Sequence, residues 1–531
     1  MIVKTHKHIL FVAGLLWLLT RAAGAQTYSL GTTNLLEAPA GGGDSVLLAV
    51  TPPGAAWTAG TNAAWLHLTA ANQSGMGSGP VIFTFDANPG ATRTGTLLIA
   101  GLTLTVTQAG ATYVAATNLT LLVATNLNQP AGLAVDGAGN VYIADTFNNA
   151  VKEWSVVSNT VTPLVASGLD QPYGLAMDGS GNLYIADLGH NMIQKWVAAS
   201  NTLVPWVSGL VGPYGVAVDG AGNVYIADTF QQAIKEWVAV SNTVVTLVST
   251  GLNRPGGVAV DVAGNVYIAD TFNHAIEEWV AASNTVVPLL STGTTYPYGV
   301  AVDGAGHVFV ADGGGYAILK WSPADHLVAT QAAGGLNLPE GVAVDGAGNL
   351  YIADMGFTAD VYPNAVLEQP HAFVDSTAKT EPPGAGGDGL PAVLPATANL
   401  TGLFAPASDS AWLTITGITN GVVSFAFTAN PGATNRTANL TLLGQTIAIT
   451  QTAVTPPVLT GGRFLGDGAF QFGFTNQPGG AFTIWTTTNL TLPLTNWMEL
   501  GPPANLGAGQ YLCTDPAATN GGQRFYRVSS P

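Results

Sequence analysis

Six evenly spaced prolines (Pro130, Pro172, Pro213, Pro255, Pro297 and Pro339) are each followed by a residue that does not repeat: Ala131, Tyr173, Tyr214, Gly256, Tyr298 and Glu340. A second variable run starts at the aspartate fifteen residues after each proline. It carries Phe147, Asn148 and Asn149 in the first copy, His190 and Asn191 in the second, Phe230 in the third, and Phe272 and His274 in the fourth. Aromatic faces stack on sugar rings, and amides and carboxylates take hydroxyl groups. Tyr173, Tyr214, Tyr298, Glu340, Phe147, Phe230, Phe272, His190 and His274 are therefore the candidate ligand-binding set, suited to a neutral, hydroxyl-rich ligand. A histidine acting as general base needs a positioned imidazole with a pKa near 7. His190, His274 and His307 each stand where another copy carries asparagine, so they read as polar loop residues. The aspartates beginning each variable run (Asp145, Asp187, Asp228, Asp270, Asp312, Asp354) invite a metal reading. A metal site needs a few unlike positions, whereas these are identical in every copy. They read as caps on the backbone amides of their own turns. Gly-x-Ser-x-Gly, His-Glu-x-x-His, a cysteine-based site and a phosphate loop are all absent from the sequence. No catalytic residue, metal ligand or cofactor is assigned, and calcium is the one ion kept in view.

The elements that must hold these residues form a repeat. The proline spacings are 42, 41, 42, 42 and 42 residues. Each unit reads as four short strands, with an Asp-Gly-Ala-Gly-Asn hairpin signal between the first two, where glycines tolerate positive φ. Four strands in that length is one propeller blade, so six units predict a six-bladed β-propeller. The pattern Pro-x-Gly-(apolar)3-Asp, then Gly-Asn-(apolar)-Tyr-(apolar)2-Ala-Asp, resembles the NHL-repeat family. In a propeller both variable runs fall at one mouth of the central channel, and the sixth, longer run at 354–363 could lean over it. The sixth unit lacks a fourth strand, and residues 118–124 supply a matching one ahead of the first unit. That strand is expected to complete the last blade, because a closed ring limits exposed edges. Trp154, Trp196, Trp237, Trp279 and Trp321 end the third strands and are expected to pack between blades. Six-bladed calcium-dependent lactonases carry a metal-binding Glu before Gly at the start of an inner strand, and Glu340-Gly341 is similar over those two residues.

Two flanking segments resemble each other. Ala64-Trp65-Leu matches Ala411-Trp412-Leu, and Asn88-Pro-Gly-Ala-Thr-Arg93-Thr matches Asn430-Pro-Gly-Ala-Thr-Asn-Arg436-Thr. Alternating β-branched residues over about 80 positions fit a small β-sandwich. The Trp, Asn-Pro-Gly-Ala-x-Arg-Thr and final Thr-Gln elements resemble the BACON domain, an immunoglobulin-like module of secreted bacterial proteins that the resemblance implies is carbohydrate-binding. The expected organisation is a leader at 1–25, a BACON-like sandwich at 26–111, the propeller at 112–370, a second BACON-like sandwich at 371–453 and a small C-terminal β domain at 454–531. The fold class is all-β throughout.

Composition narrows the function. The chain has 531 residues, 14 Lys+Arg and 31 Asp+Glu, for a net charge of −17 with only 8% charged residues. Too few basic residues remain for a nucleic-acid face, and an acidic surface is not drawn to anionic membranes. Lys4 and Lys7, an apolar stretch over residues 9–19 and Ala23-Gly24-Ala25 form a secretory leader pattern, so the protein is expected to be exported. That stretch is too short to span a bilayer, and membrane insertion is not expected. Cys513 is the single cysteine, which excludes an internal disulfide. The reading is a secreted recognition protein for an extracellular glycan or protein ligand, leaning away from an enzyme. The alternatives are a lyase or calcium-dependent lactonase acting at the channel, and a protein-docking scaffold. Oligomeric state is not legible.

Overall fold

The computed structural model describes residues 26–356, 364–454, 457–476, 481–520 and 522–529. The expected leader and most of the long sixth mouth loop lie outside the described residues. Among those described there is no α-helix, and none long and apolar enough to cross a membrane.

Six four-stranded antiparallel sheets form the propeller. The first blade comprises Pro130–Val135, Val141–Asp145, Ala150–Ser155 and Thr160–Val165. The second strand of every blade is buried at all five positions, matching its unbroken apolar run between two neighbouring blades. The sixth blade takes its outer strand from Thr120–Val123, with Thr120 opposite Glu368 and Val123 opposite Val366. The expected closure is thus realised by a segment that precedes the first blade.

The glycine after each post-proline residue has a packing reason. A Cβ on Gly132, Gly174, Gly215, Gly257, Gly299 or Gly341 would lie 2.3, 2.4, 2.5, 2.7, 2.5 or 2.0 Å from the post-proline carbonyl oxygen of the next blade. The last of these contacts, Gly341 against Ala131, returns to the first blade and completes the circle. Only a residue without Cβ lets six inner strands approach this closely.

The two aspartate sets behave differently. Asp136 caps its hairpin turn as expected, its Oδ1 accepting from the Ala138 and Asn140 amides at 2.9 Å. The second set corrects the sequence reading. Asp145 Oδ1 accepts from the Asn128 amide at 2.6 Å, in the loop leading into its own blade's first strand. Its Oδ2 meets Asn148 Nδ2 at 2.8 Å and Lys152 Nζ at 2.6 Å. Asp187, Asp228 and Asp270 take the corresponding amides at 2.9, 2.7 and 2.7 Å, and Asp312 and Asp354 take the amide one residue later, of Tyr296 and Leu338, at 2.8 and 2.7 Å. These carboxylates tie the two mouth loops of a blade together rather than capping one. The tryptophans pack between blades, and four of them also donate to an asparagine in the following turn, as Trp154 does to Asn159 at 3.1 Å.

In both BACON-like sandwiches the matching motif residues meet inside the domain. The Arg93 guanidinium lies 4.4 Å from the Trp65 ring and donates through Nε to Gln108 Oε1 at 2.9 Å. Arg436, Trp412 and Gln451 repeat this at 4.3 and 2.9 Å. The C-terminal unit has two small sheets around Phe472, Phe474, Ile484 and Tyr511.

The first sandwich docks on the fifth blade at its hairpin turn. Leu47 donates to the Gly304 carbonyl at 3.1 Å, and Ser45 Oγ to the Ala305 carbonyl at 2.6 Å. His307, expected to be a polar loop residue, is instead buried between Asp44 of the sandwich and Asp303 of the blade, 2.9 Å from each. An imidazole reaches further than the amide it replaces and offers a donor on each side. The second sandwich shares a core with the sixth blade, where Leu443 and Ile447 pack with Leu122, Val123 and Val366. The hairpin turn lies at the opposite end of the first strand from the proline, so the first sandwich sits on the face away from the variable residues.

Candidate functional site at the channel mouth

Each post-proline residue sits at the start of an inner strand, held by the proline's fixed φ and by the aspartate clamp on the loop before it. The sequence-predicted ring is thereby brought together. Tyr173, Tyr214, Tyr298 and Glu340 line one cavity of about 70 Å3, walled below by the glycine ring. The Tyr173 hydroxyl donates a hydrogen bond to Glu340 Oε2. The two blades are separated by the first, whose small Ala131 leaves the tyrosine room to reach across. The Tyr173 and Tyr214 rings pack with centroids 4.3 Å apart.

Glu340 is 6% exposed. Burial pushes its carboxyl up to about 7, and the Tyr173 hydrogen bond only partly offsets this. The three tyrosine hydroxyls are also pushed up, by burial first and by the Glu340 charge second, so all three stay neutral. No lysine, arginine or histidine pairs with Glu340 among the described residues.

A half-exposed aromatic rim surrounds part of this mouth. The Phe230 ring meets Tyr214 edge-on at 6.0 Å. Arg254 places its guanidinium 5.7 Å from Phe230 and 5.0 Å from Phe272. Phe272 and His274 both pack against Tyr296, at 5.9 and 4.8 Å. Sequence reasoning missed Arg254 and Tyr296. Both occupy the position just before the proline, which is a third variable column, alongside Gln129, Gln171, Gly212 and Leu338.

The remaining candidates do not join the cluster. Phe147 is half exposed, on the first blade. His190 Nδ1 lies 2.8 Å from Asp187 Oδ2 of its own loop, which raises its pKa and takes the place of the asparagine contact in the first blade. His274 Nδ1 is taken by the Thr295 carbonyl. Neither imidazole is directed at Glu340. No group of three or more His, Cys, Asp or Glu is arranged to hold a metal ion among the described residues. A larger gap of 370 Å3 lies between the first sandwich and blades four and five. Its Asn265 and Tyr267 are already bonded to Asp261, and most of the rest is Pro, Leu and Ile.

Two family models match parts of the chain. The BACON family, described as "Putative binding domain, N-terminal", matches residues 55–109 and 405–452. The NHL repeat matches residues 127–154 and 252–278. The chain carries both. No curated protein sequence matches it. Similar solved structures include virginiamycin B lyase from Staphylococcus aureus, at 14% identity over 48% of this chain and 88% of that one, TM-score 0.38. A gluconolactonase from Xanthomonas campestris aligns at 16% identity over 47% and 89%, TM-score 0.40. A Bacteroides thetaiotaomicron protein of unknown function aligns at 16% over 65% and 97%, TM-score 0.42.

Proposed function

We propose that the protein is an exported binding protein whose ligand site is the propeller channel mouth, and that the ligand is a hydroxyl-rich extracellular glycan. One observation carries this reading. Where the repeat breaks, three tyrosines converge on a single buried carboxyl, while the rest of the blade stays nearly uniform. Such a mouth offers stacking faces and hydrogen-bonding groups together. Binding-domain families on both sides of the propeller support a recognition role. Their presence in two copies would add avidity to a polymeric ligand. The test is a glycan-array screen of the mature chain beside Tyr173→Ala and Tyr298→Ala. Binding lost in both variants supports the mouth, and binding kept in both moves recognition to the sandwiches.

A second reading rests on Glu340 alone. A carboxyl at about 7 suits general acid–base work at neutral pH. Lactone hydrolysis or lyase turnover abolished by Glu340→Gln would favour it, and absence of turnover on a panel of such substrates would count against it.

A further inference from the structure

We propose that the channel mouth selects its ligand through a protonated amine, an ammonium group seated against Glu340 among the rings of Tyr173, Tyr214 and Tyr298. The inference rests on the mouth being the ligand site and names the chemistry it recognises.

Five observations lead there. Glu340 is buried with no cationic partner among the described residues, where the Tyr173 hydroxyl donates a hydrogen bond to its Oε2. Such a carboxylate is costly to hold charged unless a cation arrives. The walls are aromatic, and ring faces attract a desolvated cation. The cavity of about 70 Å3 is small. For the centres of water-sized probes one water needs about 10–15 Å3, so the space admits an ammonium group, and the remainder of the ligand can extend over the rim. The rim supplies rings for it, Phe230 beside Tyr214 and Phe272 beside Tyr296. Arg254 already lies over Phe230 and Phe272. A second cation is therefore steered to the Tyr298 and Glu340 side.

An amino sugar and a lysine side chain both present this group, and calorimetry on the full chain separates them. The probes are a fully deacetylated glucosamine trimer, its N-acetylated counterpart, Nα-acetyl-lysine methylamide, n-butylamine and calcium chloride. The deacetylated trimer is expected to bind at least about tenfold more tightly than the acetylated one, as one charge-assisted contact requires. Glu340→Gln is expected to erase that difference. A readout on the unaltered chain guards against misfolding of the variant. The titratable groups facing Glu340 are the three tyrosines, all neutral, with Arg254 behind Tyr214. Binding the lysine derivative or butylamine, whose amines are fully protonated near pH 7, should therefore expel about half a proton from Glu340, visible as a buffer-dependent heat. Equal affinity for the two trimers would overturn the amine subsite and leave the glycan reading standing. Binding of the lysine derivative and butylamine without either trimer would keep the subsite and overturn the glycan reading. Calcium binding lost in Glu340→Gln, with no amine binding, would overturn the proposal in favour of a metal, and no binding by any probe would overturn both.

Discussion

Replacing His307 by asparagine restores the residue that the other hairpin turns carry, and it should nonetheless destabilise the protein. In the native fold burial alone would lower the imidazole pKa. The Asp44 and Asp303 carboxylates outweigh burial and push it up to about 9 from 6.5. At about 1.4 kcal/mol per pH unit this corresponds to about 3 kcal/mol of stabilisation. Independently, removing one partner of a buried ion pair costs roughly 3–5 kcal/mol, because the other charge is left behind. His307→Asn should therefore cost about 3 kcal/mol near pH 6, falling on the docking of the first sandwich against the fifth blade. The sign with pH follows from the raised value. The His307 contribution is complete below its unfolded pKa of about 6.5 and disappears as pH rises through about 9. Asp44 is held below the usual carboxylate range by His307, against its own burial, so its contribution vanishes in strong acid. Scanning calorimetry from pH 5 to 10 should show wild type losing stability at the alkaline edge. The variant should already be lower by several degrees and lack that edge. Equal stability of the two proteins, or an unchanged alkaline edge in the variant, would refute the argument.

Three further outcomes are expected. Gly215→Ala places a methyl 2.5 Å from the Gly256 carbonyl oxygen and should cost about 1–3 kcal/mol in chemical denaturation. Val123→Asp puts a charge on the strand that closes the sixth blade, and should cost more than about 3 kcal/mol and promote aggregation, seen by light scattering. Asp228→Ala leaves the Val211 amide and Lys235 without their shared acceptor and should cost about 2–4 kcal/mol by thermal melting.

The propeller was legible because each blade must solve the same packing problem, so proline, glycine and two aspartates recur at one spacing. Closure was legible because residues 118–124 carry a fourth-strand pattern with no blade of their own. The tyrosines and Glu340 stood out for the opposite reason, as positions where the repeat fails. What the sequence could not carry was contact between distant positions. Tyr173 and Glu340 are 167 residues apart and meet only because the ring closes across Ala131. His307 looked interchangeable with asparagine because its partner, Asp44, belongs to another domain. The second-set aspartates were misread for a similar reason: the amides they hold lie 16 or 17 residues back, in the loop that leads into the blade.

The most direct test of the channel-mouth assignment is a crystal structure of the full chain with the tightest glycan from the array screen. The account predicts ligand density against Tyr173, Tyr214 and Tyr298, with a polar group of the ligand at Glu340. Density confined to either sandwich, with the channel mouth filled only by solvent, would contradict it.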